Sequence, residues 1–233
     1  MPCVRPRHPR LIHVALACTI ALAAAPAAAA RAATLTTDAR CYLQGAPLRM
    51  TATGLAPNAP LTVALDGQAL RYRNGGTPSA DAAGSFASSF ATPALAPGLV
   101  QRRHVLSVSD GTRKPHTRFT VTRPTGADFE PSSGKPQTLR ARFSVWGFAL
   151  NGGAPRVRVW LHWIGPDGSV HASAPLGVAR GACGMLTTAR RRVFPFVAAP
   201  GRWVLAFDTH PRYRAQSSGP HARIAVHVRS LSL

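Results

Sequence analysis

The sequence is poor in acids. Among its 233 residues there are 8 Asp and Glu together, and Glu130 is the single glutamate. One glutamate excludes the H-E-x-x-H helix of zinc proteases. The only close acidic pair, Asp128 with Glu130, falls in a connecting segment, so the paired carboxylates of a glycosidase are not expected either. No G-x-S-x-G elbow, C-x-x-C pair or Gly-rich loop running into Lys-Ser or Lys-Thr occurs. The 9 His are scattered; His162 and His171 flank a turn and could approach across a hairpin, but no carboxylate or third ligand stands beside them at metal-site spacing. Neither metal nor cofactor is expected, and no catalysis. After the first 30 or so positions there is no hydrophobic run long enough to span a bilayer.

What is abundant is arginine: 26 Arg accompany 2 Lys, for a formal net charge of +20. The preference for Arg over Lys, with much Ala, is what GC-rich coding produces. At 45% hydrophobic residues the chain can still bury one or two cores and reads as globular and basic. Residues 1–33 read as a secretory signal: Arg5, Arg7 and Arg10, then an apolar stretch from Leu11 to about Ala25, then small residues to Ala33 with Ala30-Arg31-Ala32 as an A-x-A site. Cys18 lies inside the apolar stretch, where a lipid-attachment site does not fit. The expected address is outside the cytoplasmic membrane: secreted, cell-wall associated, or periplasmic in a cell with two membranes.

Cleavage would remove Cys3 and Cys18 and leave Cys41 and Cys183. In an oxidising compartment these two most simply form one disulfide. The alternatives are two free thiols or a reactive Cys183.

The remainder reads as two diverged copies of one unit. The first runs through Gly45-Ala46-Pro47, Gly54-Leu55-Ala56, Asn58 and Asp66-Gly67. The second runs through Gly134-Lys135-Pro136, Gly147-Phe148-Ala149, Asn151 and Asp167-Gly168. Ala96-Pro97-Gly98 matches Ala199-Pro200-Gly201, and each copy closes on a short alternating segment. Both copies show period-two segments broken by Gly, Pro, Asn and Asp, with no sustained helical period, which is an all-β signature. The expected architecture is two tandem immunoglobulin-like β-sandwich domains, 34–123 and 124–233. The turn Gly54 to Asn58, followed by Asp66-Gly67 and Asp81 to Phe86, resembles the bacterial immunoglobulin-like modules of secreted and surface proteins. Cys183-Gly184, Phe194-Pro195-Phe196 and Gly201-Arg202-Trp203 resemble two-domain secreted proteins of GC-rich bacteria. That resemblance implies a fold and an extracellular address rather than a reaction.

The second copy carries the most informative pattern. From Leu139 to Trp146, apolar Leu139, Ala141, Phe143 and Val145 alternate with Arg140, Arg142, Ser144 and Trp146. Val157, Val159, Leu161 and Trp163 alternate with Arg156, Arg158, Trp160 and His162. Ile224, Val226 and Val228 alternate with Arg223, Ala225, His227 and Arg229. Successive side chains of a strand point to opposite faces, so three strands would offer an Arg, Trp and His outer face. Two readings stand open. One is a site for anionic cell-wall polymer or polysaccharide, with guanidinium forks on carboxylate or phosphate and Trp160 or Trp146 stacking on a sugar; the other is a solvated outer face, or one covered by the first domain. No nucleic-acid module is present. Trp163 and Trp203 are expected in the core, and Arg190-Arg191-Arg192 as a polar turn before a buried segment. As an alternative class, Gly181-Ala182-Cys183-Gly184 resembles the nucleophile segment of L,D-transpeptidases, with His162 or His171 as base. It lacks that family's Ser/Thr-His-Gly and following Arg, and a disulfide would silence it.

Overall fold

Alternation decides the strands. In β3 (Pro47–Thr53) Leu48, Met50 and Ala52 are buried while their neighbours are exposed, and in β10 (Arg140–Trp146) Ala141, Phe143 and Val145 are fully buried. Period-two patterning of this kind places one face of a sheet on a core and the other in water. The computed structural model describes residues 32–72, 75–150, 156–216 and 218–229, which form one compact unit. The signal reading of the N-terminal stretch lies outside the described residues. Among those residues no helix is long and apolar enough to cross a membrane.

Among the described residues the strands assemble into four sheets. In the first half, β1 (Thr34–Thr37), β3 and β6 (Phe86–Ala91) form a three-stranded antiparallel sheet. A five-stranded sheet runs in the order β2 (Cys41–Leu43), β8 (His116–Thr122), β7 (Gln101–Ser109), β4 (Thr62–Leu65), β5 (Gln68–Ala69), with β2 parallel to β8. Both sheets feed one hydrophobic cluster that includes Leu48, Met50, Val63, Leu106, Val108, Phe119 and Val121, so the half is a sandwich. Asp66 and Gly67 both adopt positive φ, at 50° and 85°, as a two-residue hairpin turn of the primed type requires.

The second half repeats the plan. β10 pairs with β9 (Gly126–Glu130) on one edge and, on the other, with the short β13 (Leu186–Thr187) and β14 (Arg191–Arg192). Facing it, the order is β12 (Val170–Arg180), β11 (Arg156–Ile164), β15 (Gly201–Asp208), β16 (Ala222–Val228). The order matches that of the first half when β4 is set against β11, β7 against β15 and β8 against β16. A second cluster, sharing no member with the first, gathers Phe143, Leu161, Trp163, Val193, Phe194, Trp203, Leu205 and Phe207. Trp163 and Trp203 are core residues as their pattern predicts, and each indole N–H finds a carbonyl, of Val193 and Ala199 respectively. Arg191 and Arg192, expected in a polar turn, instead form a short strand paired with β10 that leads into buried Val193 and Phe194.

The halves meet at the disulfide Cys41–Cys183, with Cα atoms 5.2 Å apart, which joins β2 to the turn after β12. Around it, Gln101 Nε2 approaches Met185 Sδ at 2.9 Å and the Trp146 indole donates to the Pro124 carbonyl. Gly147, at φ 76°, lies against the connection so closely that a Cβ would stand 2.8 Å from Thr125 Cα. An L-residue there would strain both backbone and contact.

Asp110 ends β7 by accepting from the amides of Ala56, Thr112 and Arg113, which hold its carboxyl well below the usual carboxylate range. Asp66 is pushed up by burial, but the Val105 amide, His104 and Arg102 outweigh that and lower it. Carboxyls lowered in the native state stabilise the fold above their unfolded pKa of about 4 and lose that contribution as pH falls through the lower native values. Stability measured by denaturant titration is therefore expected to hold above about pH 5 and to fall below about pH 4, with Asp110→Asn showing a shallower fall. Replacing Cys41 and Cys183 by Ala opens a closure of 142 residues and is expected to cost up to about 5 kcal/mol, read as a lower denaturant midpoint; an unchanged midpoint would contradict it.

Candidate functional site

The outer face of the β12-β11-β15-β16 sheet follows from the register. Leu161 and Phe207 face each other inside, so Trp160 and Asp208, also opposite, face outward. The next outward rung holds Ser173, His162, Ala206 and Arg223, and two rungs further Arg202 faces His227. At about 3.3 Å per residue, Arg158 and Arg229 stand on the order of 30 Å apart along the sheet.

The expected three-strand face is therefore divided. Arg140 and Arg142 belong to the opposing sheet, and β15 separates β11 from β16. On the opposing sheet Arg140 stands across from Arg192, and Arg142 across from Glu130. The Trp146 indole, whose ring lies where a side chain on Gly126 would be, is used at the junction by Pro124 rather than held free for a sugar. Arg223 is spent on the loop after β15, donating to Tyr213 Oη at 2.7 Å and to the Ala215 carbonyl at 3.0 Å. His227 and Arg229 line a cleft at the C-terminal end of β16.

One part of the patch does converge. Arg156 stands directly opposite Arg180, with Arg158 next on the same face and half-buried Trp160 beyond it. Like charges in this arrangement destabilise a sheet by a few tenths of a kcal/mol. Among the described residues no carboxylate forms an ion pair with any of the three guanidinium groups.

His162, expected on the exposed face, is fully buried, because the loop after β15 folds back and sets Tyr213 5.5 Å from its ring. Asp208, 1% exposed, accepts at Oδ1 from the imidazole Nε2 at 3.1 Å and from the His210 amide at 2.7 Å. A carboxylate only accepts, so Nε2 carries a proton toward Asp208, and Nδ1 lies 2.7 Å from the Ser173 hydroxyl. The sequence of groups is that of a nucleophile relay. Yet the imidazole is 0% exposed, sealed between the strands and Tyr213. It is a clamp across β12, β11 and β15. His171 does not meet His162 across the hairpin, since it packs on Phe196 at 4.2 Å and on Trp203 at the core edge. Cys183 is bonded and 2% exposed, so no thiolate is available to the transpeptidase alternative.

Asp208, Ser173, Arg180 and Lys135 were not singled out by sequence reasoning. Bulges opposite the Val159-Trp160 and Trp163-Ile164 steps, where Leu176 and His171 have no register partner on β11, break the alternation that would have marked β12. Asp208 is 46 residues from its histidine, a pairing no local pattern encodes.

No family model matches the chain, and no curated protein matches it in sequence. Among solved structures it is similar in part to a mutant alpha-2-macroglobulin from Salmonella, at 14% identity and TM-score 0.30, over 84% of this chain and 15% of that one. It is also similar to Escherichia coli alpha-2-macroglobulin activated by porcine elastase, at 12% identity and TM-score 0.31, over 84% and 20%. The chain thus spans no more than a fifth of either, and overlaps of this quality assign neither family nor activity.

Removing one member of the sealed pair leaves the other buried without its partner. His162→Ala and Asp208→Ala are each expected to cost about 3 kcal/mol, seen as a drop in guanidinium midpoint with little change in slope; a loss under about 0.5 kcal/mol would show the clamp to be incidental.

Proposed function

We propose that the chain is a tandem of two immunoglobulin-like sandwiches, exported and disulfide-locked, that serves as a non-catalytic binding module for anionic extracellular or cell-wall polymers. The immunoglobulin-like reading is supported by the matching strand orders of the two halves, each with two sheets on one core.

The observation that carries the binding reading is the Arg156-Arg180 pair, with Arg158 and Trp160 continuing the same exposed face. An anion bridging the two guanidinium groups would turn their repulsion into charge-assisted hydrogen bonds, and the Trp160 ring offers an apolar face to a sugar. The shortage of acid reinforces it. Each of the seven aspartates accepts a backbone N–H: from Arg49, Val105, Ser85, Arg113, Phe129, Ser169 and His210, for Asp38, Asp66, Asp81, Asp110, Asp128, Asp167 and Asp208 respectively. The carboxylates are occupied with turns and strand ends, and most arginines are left to external partners or water.

The test is retention on immobilised polygalacturonate. The full-length chain is expected to bind and to elute progressively earlier as salt is raised, because the contacts are exposed charges. The double change Arg158→Ala with Trp160→Ala is expected to weaken binding roughly tenfold, a loss of about 1.4 kcal/mol. Elution unchanged by that double change would remove the patch as the binding surface.

A further inference from the structure

A second cleft lies at the other end of the sheet, on the order of 30 Å from Arg158 along the strands, and its chemistry differs from that of the arginine patch. It has a volume of about 400 Å³ and is lined by four successive residues of β16 and its end, Val226 to Arg229. β16 is the edge strand, and at its C-terminal end both inward Val226 and Val228 and outward His227 and Arg229 line the cleft. The opposite wall is the turn 132–136, closed by the Lys135 carbonyl, which accepts from the amides of Thr138 and Leu139. Gly134 lets this turn press on the cleft floor, where a Cβ would come within 2.8 Å of Leu139 Cδ1.

The floor is apolar: Phe194 and Val228 are buried, and Leu139 and Val226 are half-buried. The rim is cationic, with exposed Lys135 and Arg229 beside exposed His227, and no acidic side chain is among the residues lining it. Basic groups converging above a hydrophobic floor suit a ligand that is anionic at one end and apolar at the other. The volume sits near the low end of the range of about 300–1,000 Å³ for small-molecule pockets, which favours a short chain over a large ring system.

We propose that this cleft binds a single small amphiphile, an acyl or alkyl chain bearing one carboxylate or phosphate, with the chain along Leu139, Phe194 and Val226 and the anion between Lys135 and Arg229. The site is independent of the polymer patch and does not need that reading to hold.

Isothermal titration of the full-length chain tests it. Decanoate is expected to bind one to one; decyltrimethylammonium, with the same tail and the opposite charge, is expected not to bind, nor is acetate, which lacks the tail. A parallel titration with decyl phosphate tells a carboxylate preference from a phosphate preference. Reversing the rim with Lys135→Glu and Arg229→Glu, both exposed, is expected to lower decanoate affinity at least tenfold. The Arg158→Ala, Trp160→Ala chain should bind decanoate as the parent does. Absence of decanoate binding, equal binding of the two decyl compounds, or unchanged affinity in the charge-reversed chain would each overturn the proposal.

Discussion

A strand that buries every second side chain has to display the others, and arginine recurs among them, as at Arg49, Arg140, Arg142, Arg156, Arg158 and Arg202. The two cores are closed by fully buried residues such as Leu48 and Val121 in one half and Phe143 and Phe207 in the other, so the registers that hold them inside leave no freedom in what faces out. A slip of one residue would exchange the faces and bury guanidinium groups, which is too costly to occur. The arginine surface is in this sense a consequence of the core. Arg156, Arg158 and Arg180 have no carboxylate partner among the described residues, because the few aspartates are tied to backbone amides.

Each half also hides a histidine on the five- or four-stranded sheet against an aspartate. His104, 3% exposed, meets Asp66 Oδ2 at 2.8 Å and stacks on Phe119; His162 meets Asp208 and packs beside Tyr213. The partners have traded strands between the halves. In the first the histidine is on β7 and the acid follows β4, whereas in the second the histidine is on β11, the counterpart of β4, and the acid ends β15, the counterpart of β7. Both pairs tie two adjacent interior strands of their sheet, so the same mechanical task is met with the chemistry reversed.

The sequence made legible whatever depends on short-range alternation and on turn residues. The strand character of 140–146, 156–164 and 222–228, the Asp66-Gly67 turn, the core roles of Trp163 and Trp203 and the Cys41–Cys183 bond could all be read from residue pattern or cysteine count. What could not be read depends on which strands lie side by side. Arg140 and Arg158 share an alternation phase yet occupy different sheets. His162 has the phase of an exposed residue and is covered by a loop 50 residues on. Arg180 lies on a strand whose bulges hide its period. The cleft beneath Lys135 is built from 132–139 and 226–229, segments nearly a hundred residues apart, and no local pattern could join them.

The most direct measurement of the binding account is a two-dimensional ¹H–¹⁵N titration of the labelled protein with an oligogalacturonate, followed at side-chain N–H signals. If the arginine patch holds the polymer, the Nε–H signals of Arg156, Arg158 and Arg180 and the indole N–H of Trp160 move together and saturate, while the indoles of core Trp163 and Trp203 stay still. Movement confined to other arginines, or none at saturating ligand, would contradict it.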